Sequence, residues 1–187
     1  MPDIPVPPRP GRGATRRRLA EMLRVDHAGE LGAVHIYRGQ QAVLRRAPGR
    51  ERIAEQLAEM EGHEAVHLAR FDELLTERGV RPTVLAPVWR AAGFALGAGT
   101  ALLGERAAHA CTEAVETVIG HHYAEQVEEV RDREPELAAQ FAQFRDEELE
   151  HLDTAVAEGA REAPGYRVLS AVIQAGCRAA IKITEKV

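Results

Sequence analysis

Residue 30 is a glutamate in the segment ELGAVHIYRGQ (30–40), whose 3.6-residue period places it on a stripe with Leu19, Leu23, Val34, Tyr37 and Leu44. A carboxylate on a face that should be buried costs several kcal/mol unless a partner neutralises it. The segment ETVIGHHYAEQ (116–126) repeats the pattern: Glu30 aligns with Glu116, His35 with His121, Tyr37 with Tyr123 and Gln40 with Gln126. Each copy is followed by a Glu-x-x-His pair, Glu64 with His67 in the first half and Glu148 with His151 in the second. Positions i and i+3 share a helix face. Apolar stripes flank both pairs, with Leu57, Met60, Phe71 and Leu74 around the first and Phe141, Phe144 and Ala155 around the second. Glu30 to Glu64 is 34 residues and Glu116 to Glu148 is 32, in each case the path up one long helix and back down the next. Two helical hairpins would then present matched sets at one depth.

Four carboxylates and two imidazoles cannot all stay ionised in one core, because like charges at close range suppress one another's ionisation. Two divalent cations would neutralise them. One Glu from each of two helices, with Glu-x-x-His from two others, is the ligand pattern of ferritin-like di-iron and di-manganese sites. Oxygen and nitrogen donors without thiolate favour iron or manganese over zinc or copper(I). The expectation is that Glu30, Glu64, His67, Glu116, Glu148 and His151 hold two metal ions. Tyr37 and Tyr123 lie two turns beyond Glu30 and Glu116 on the same face, placed to bond a ligand carboxylate, to relay an electron or simply to pack. Asp26, one turn before Glu30, is either a surface aspartate or the partner that holds a ligand histidine in its tautomer. His121 and His122, being adjacent, cannot both face inward. His27, His35, His63 and His109 read as ordinary polar positions.

Positioning these residues requires long helices. Periodicity predicts one from Thr15 to Arg46, a second from Glu51 to Arg78 stopped by Gly79, and a third from Thr100 to Asp132. A fourth starts at Pro135 and runs to Gly159, and a last one follows Pro164-Gly165 nearly to Lys186. No segment alternates with period two, so the fold class is all-α, a ferritin-like four-helix bundle with extra apolar helices. Residues 1–14, rich in proline and arginine, read as a flexible tail ahead of a single domain over 15–187. Residues 82–104 carry one charge, Arg90, and the uncharged run 91–104 is shorter than the about 20 residues that span a bilayer. With Trp89 at its edge, this stretch is either an interfacial or ligand-sheltering element or an ordinary buried helix. A net charge of −5 argues against nucleic acid as a partner. Cys111 and Cys177, without a CxxC, read as reduced packing residues.

Four stretches also carry a resemblance: RVDHAGELGAVHIYRGQ (24–40), ACTEAVETVIGHHYAEQ (110–126), FRDEELEHLD (144–153) and VIQAGCRAAI (172–181). Together they resemble the demethoxyubiquinone hydroxylases, ferritin-like di-iron monooxygenases of ubiquinone biosynthesis, from about Arg16 to the C-terminus. The resemblance implies two iron ions per chain, ferrous and ferric in turn, on the six residues that spacing selects. It also implies a hydrophobic polyprenyl quinol substrate, dioxygen, and NADH as an external reductant. Peripheral attachment to a membrane surface, on the cytoplasmic side of the cell membrane, belongs to the same expectation. A homo-oligomer and a complex of biosynthetic enzymes both stay open. A ferritin-like ferroxidase is the competing reading of the same ligands.

Overall fold

In a computed structural model of the chain, residues 16–187 are described, and among them every regular element is helical. The order is α1 (Arg16–Leu44), α2 (Glu51–Arg78), α3 (Ala86–Leu102), α4 (Glu105–Val130), α5 (Pro135–Ala157), a 3₁₀ turn (Ala160–Glu162) and α6 (Tyr166–Thr184). The expected tail, residues 1–14, and the predicted helix start at Thr15 lie outside the described residues. The architecture is an all-α, ferritin-like bundle.

Local chemistry sets most helix ends. α2 stops where Gly79 takes a left-handed φ of 62° and returns its N–H to Leu75 and Thr76 carbonyls. Pro135 occupies the first turn of α5, where its missing N–H costs nothing. One boundary differs from expectation. Thr100 belongs to α3, and α4 begins only at Glu105, because Gly104 adopts a φ of 113° and breaks the chain there.

α1 packs on α2 and α4 packs on α5, giving the two expected hairpins, while α3 lies along α1 and α6 along α4. Bidentate Arg52–Glu158 and Arg78–Glu134 pairs tie opposite ends of α2 and α5, so these helices run antiparallel. Four apolar clusters form the interior, and two of them mark its ends. Leu19, Leu23, Phe71, Leu74, Val130, Phe141 and Phe144 pack at one end, and Leu44, Ile53, Leu57, Met60 and Ala108 at the other. Between them along α1 and α2 come Glu30, Glu64 and His67.

Candidate metal centre

Glu30 sits on α1, Glu64 and His67 on α2, Glu116 on α4, and Glu148 and His151 on α5. All six are between 1% and 4% exposed. Their donor atoms form two overlapping sets, each within 4.8 Å: Glu30, Glu64, His67 and Glu148, and then Glu64, Glu116, Glu148 and His151. Glu64 and Glu148 belong to both. The histidines turn Nδ1 inward. His67 Nδ1 is 3.1 Å from Glu148 Oε1 and 3.5 Å from Glu30 Oε2. His151 Nδ1 is 3.2 Å from Glu148 Oε2 and 3.1 Å from Glu64 Oε1. Despite that last distance, neither oxygen of Glu64 accepts a hydrogen bond.

Two ionised carboxylates 4 Å apart repel by about 4 kcal/mol even at an effective dielectric of 20. Without a cation the cluster therefore neutralises itself with protons. Burial pushes Glu30 well above the usual carboxylate range, and the Glu64 and Glu148 charges add to the shift. Burial does the same to Glu116, again reinforced by Glu148 and Glu64. Burial pulls the histidines down, but the surrounding carboxylates outweigh it: His67 is raised, and His151 is raised to about 10 by Glu148 and Glu64. Burial would raise Glu64, yet the imidazoles beside it, His151 first, hold it at about 2. An ionised, buried, bond-less carboxylate amid hard oxygen and imidazole donors is a fit for divalent cations.

The tyrosines bond across the hairpins. Tyr37 donates to Glu116 Oε1 at 3.1 Å, and Tyr123 donates to Glu30 Oε1. Both are fully buried, and burial with the adjacent carboxylates keeps both phenols well above their ordinary pKa, so they remain donors. Asp26 is buried but does not touch a histidine of the cluster. Its Oδ1 accepts from Gln126 at 2.9 Å and stands 3.3 Å from His122. Gln40, the repeat partner of Gln126, donates instead to the Ala108 carbonyl. His121 is exposed and His122 largely buried. His35 is spent on the Leu31 carbonyl.

Three of the positions read as ordinary polar ones need correction. His27 is buried and meets Asp72 Oδ1 at 3.0 Å, and His109 is buried too. His63 touches the cluster, its Nδ1 3.1 Å from His151 Nε2. Residues 63–67 even spell the H-E-x-x-H of zinc peptidases, yet His63 belongs to neither of the two donor sets. Glu147, unmarked by any apolar stripe, lies 2.5 Å from His67 Nε2. The available signal was position: both residues directly precede the glutamate of a Glu-x-x-His pair.

A family model described as Ubiquinone biosynthesis protein COQ7 matches residues 17–184. The chain belongs to the COQ7 family. It is 51% identical over 178 residues to the 3-demethoxyubiquinol 3-hydroxylase of Rhodospirillum rubrum, covering 95% of this chain and 82% of that one. It is 48% identical over 176 residues to the mitochondrial NADPH-dependent 3-demethoxyubiquinone 3-hydroxylase of Homo sapiens, covering 92% and 79%. To the mitochondrial 5-demethoxyubiquinone hydroxylase of Saccharomyces cerevisiae it is 42% identical over 189 residues, covering 90% and 78%.

In this COQ7-family chain an apolar cavity of about 410 Å³ opens beside the cluster. Its walls come from α1, α3, α4 and α6, with Ile36, Leu96, Ile119, Ile173 and Ile181 among them, and its lining includes Glu30, Tyr123, Asp26 and His122. Most of α3 is exposed, so residues 82–104 are not an ordinary buried helix. Gly93 and Gly97 of α3 bury against α1, while Leu96 lines the cavity. Cys111 is buried and Cys177 half-buried, both free, as expected of packing residues. Burial raises both thiols, to about 12 and about 11.

Proposed function

We propose that this COQ7-family protein hydroxylates the ring of a demethoxyubiquinol, of the 2-polyprenyl-3-methyl-6-methoxy-benzoquinol type, in ubiquinone biosynthesis. Glu30, Glu64, His67, Glu116, Glu148 and His151 would hold two iron ions, and dioxygen with an external nicotinamide reductant completes the reaction. NADH was the expected reductant, whereas the names of the mammalian relatives specify NADPH. The observation that carries this reading is continuity: Glu30 belongs both to the donor cluster and to the lining of the apolar cavity. A cavity of this size suits a small-molecule ligand, and its aliphatic walls suit a polyprenyl tail.

Bound iron supplies the activation of dioxygen, which no side chain can provide. The chain's own groups supply position and dryness. Tyr123 and Tyr37 hold Glu30 and Glu116 by their hydroxyls, each bond reaching across to the other hairpin. The aliphatic walls keep water from the ring. Asp26 Oδ2 is buried without a hydrogen-bond partner, which leaves it as an acceptor for a quinol hydroxyl.

The test is product formation. Given reductant, isotope-labelled dioxygen and a demethoxylated quinol, the purified protein should release a quinol heavier by one labelled oxygen. Glu30→Gln should abolish that product. Tyr37→Phe removes one hydrogen bond, worth about 1 kcal/mol net, and should slow it roughly fivefold. Oxygen and iron turnover with no labelled quinol would make the protein a ferroxidase.

A further inference from the structure

The two halves of the cluster are finished differently. Residues 63 and 147 occupy the same place in the repeat, each directly before the glutamate of a Glu-x-x-His pair. From there each side chain reaches the outer nitrogen of the histidine in the other hairpin. On one side the contact is a carboxylate, Glu147 Oε2 at 2.5 Å from His67 Nε2. On the other it is an imidazole, His63 Nδ1 at 3.1 Å from His151 Nε2, the two rings edge to edge with an interplanar angle of 7° and centroids 5.3 Å apart.

The two partners prepare a histidine unequally. A carboxylate only accepts, so Glu147 keeps the proton of a neutral His67 on Nε2 and leaves a lone pair on Nδ1, the nitrogen that faces the cluster. Its negative charge also makes that nitrogen a better donor to a cation. An imidazole nitrogen can accept or donate. When His63 Nδ1 donates, the proton of neutral His151 must sit on Nδ1, pointing at Glu64 and Glu148, where a cation would bind. His63 thus holds His151 ready in only one of its own tautomers, and lacks the negative charge that a carboxylate brings.

Resting on the metal-centre reading above, we infer that the two metal positions load unequally, and that residues 63 and 147 set the gap as positioning residues. The ion held by Glu30, Glu64, His67 and Glu148 binds first. The ion held by Glu64, Glu116, Glu148 and His151 binds second. The outer partner of a ligand histidine is worth about 10–100-fold in metal affinity, so the two steps differ by about tenfold or more.

The experiment is an anaerobic calorimetric titration of the metal-free, full-length protein with ferrous iron at one fixed pH. Wild type should show two resolved steps. His63→Glu, which puts a carboxylate in both places, should tighten the second step by about tenfold and move the first far less. Glu147→Gln should weaken the first step by about tenfold or more, and Glu147→Asp should restore part of it. His63 is exposed and Glu147 half-buried, so the variants should fold, and thermal melting of the metal-free forms checks this. Two equal steps in wild type, or a His63→Glu variant in which both steps shift by one common factor or neither shifts, overturn the inference. A wild-type protein that takes up no iron overturns instead the metal-centre reading on which it rests.

Discussion

Glu64 holds, in one side chain, the physical conflict that the site resolves: it is buried, ionised and without a hydrogen bond. In the metal-free protein its counter-charges are the imidazoliums of His67 and His151. A metal must displace those protons, together with the ones that burial keeps on Glu30 and Glu116. The sign follows directly. Each of these four groups has a raised pKa, so metal competes with protons and affinity should climb as pH rises. At pH 7, metal loading should release roughly two protons or more per chain. Calorimetry in two buffers of different ionisation enthalpy counts them. Binding without proton release would show that the cluster is not neutralised in this way.

At the scale of elements, α3 is held by an approach of backbones rather than by side-chain interlock. A Cβ on Gly97 would stand 1.9 Å from the Ile36 carbonyl oxygen, and one on Gly39 would stand 2.2 Å from that of Phe94. Helical backbone cannot yield as a flexible side chain can. Gly97→Ala should therefore lift α3 from α1 and cost about 1–3 kcal/mol, a fall in Tm of roughly 2–4 °C per kcal/mol for a chain of this length. Gly99, two residues on, has nothing within 4 Å of its Cβ position. Gly99→Ala should leave Tm unchanged or raise it slightly, since alanine is the better helix former. Thermal melting compares the two, and equal melting would mean that α3 does not depend on this contact. Because Leu96 on the same helix walls the cavity, Gly97→Ala should also weaken quinol binding.

Across the whole molecule, exposed large apolar side chains are most frequent around α3, at Val84, Val88, Phe94, Leu102 and Leu103, with single ones at Val66 on α2 and Leu149 on α5. α6 adds Val168 and Val172. No helix among the described residues is long and apolar enough to cross a membrane. An exposed apolar surface beside a cavity for an apolar tail favours peripheral attachment, with substrate entering from the lipid. Vesicle sedimentation tests the attachment. Leu102→Asp with Leu103→Asp should release the protein from liposomes while leaving its iron content unchanged, because neither residue touches the cluster. A double variant that sediments like wild type would move the contact elsewhere.

Much of the site was legible before any tertiary structure. Glu30, Glu64, His67, Glu116, Glu148 and His151 announce themselves because burial of a carboxylate on an apolar stripe is costly and because helical hairpins bring residues 32 to 34 apart to one depth. The turns at Gly79 and Pro135 were equally legible, since left-handed backbone and a missing N–H are local properties of one residue. The break at Gly104 was not, because the uncharged run 91–104 holds four glycines, Gly93, Gly97, Gly99 and Gly104, and nothing in the sequence marks which of them turns the chain. Contacts between hairpins were hidden for a related reason. Periodicity states which face of a helix is buried, but the rotation of α2 against α5 decides that Glu147 meets His67 and His63 meets His151. The same holds for Asp26. Its place one turn before Glu30 allowed a surface position or a histidine of the cluster as partner, and the relative rotation of α1 and α4 gave it Gln126 and His122 instead. The pairing of the hairpins likewise decided that each tyrosine serves the other hairpin's glutamate. Residue types and spacing determined which groups would gather; the helix-to-helix packing determined what each of them touches.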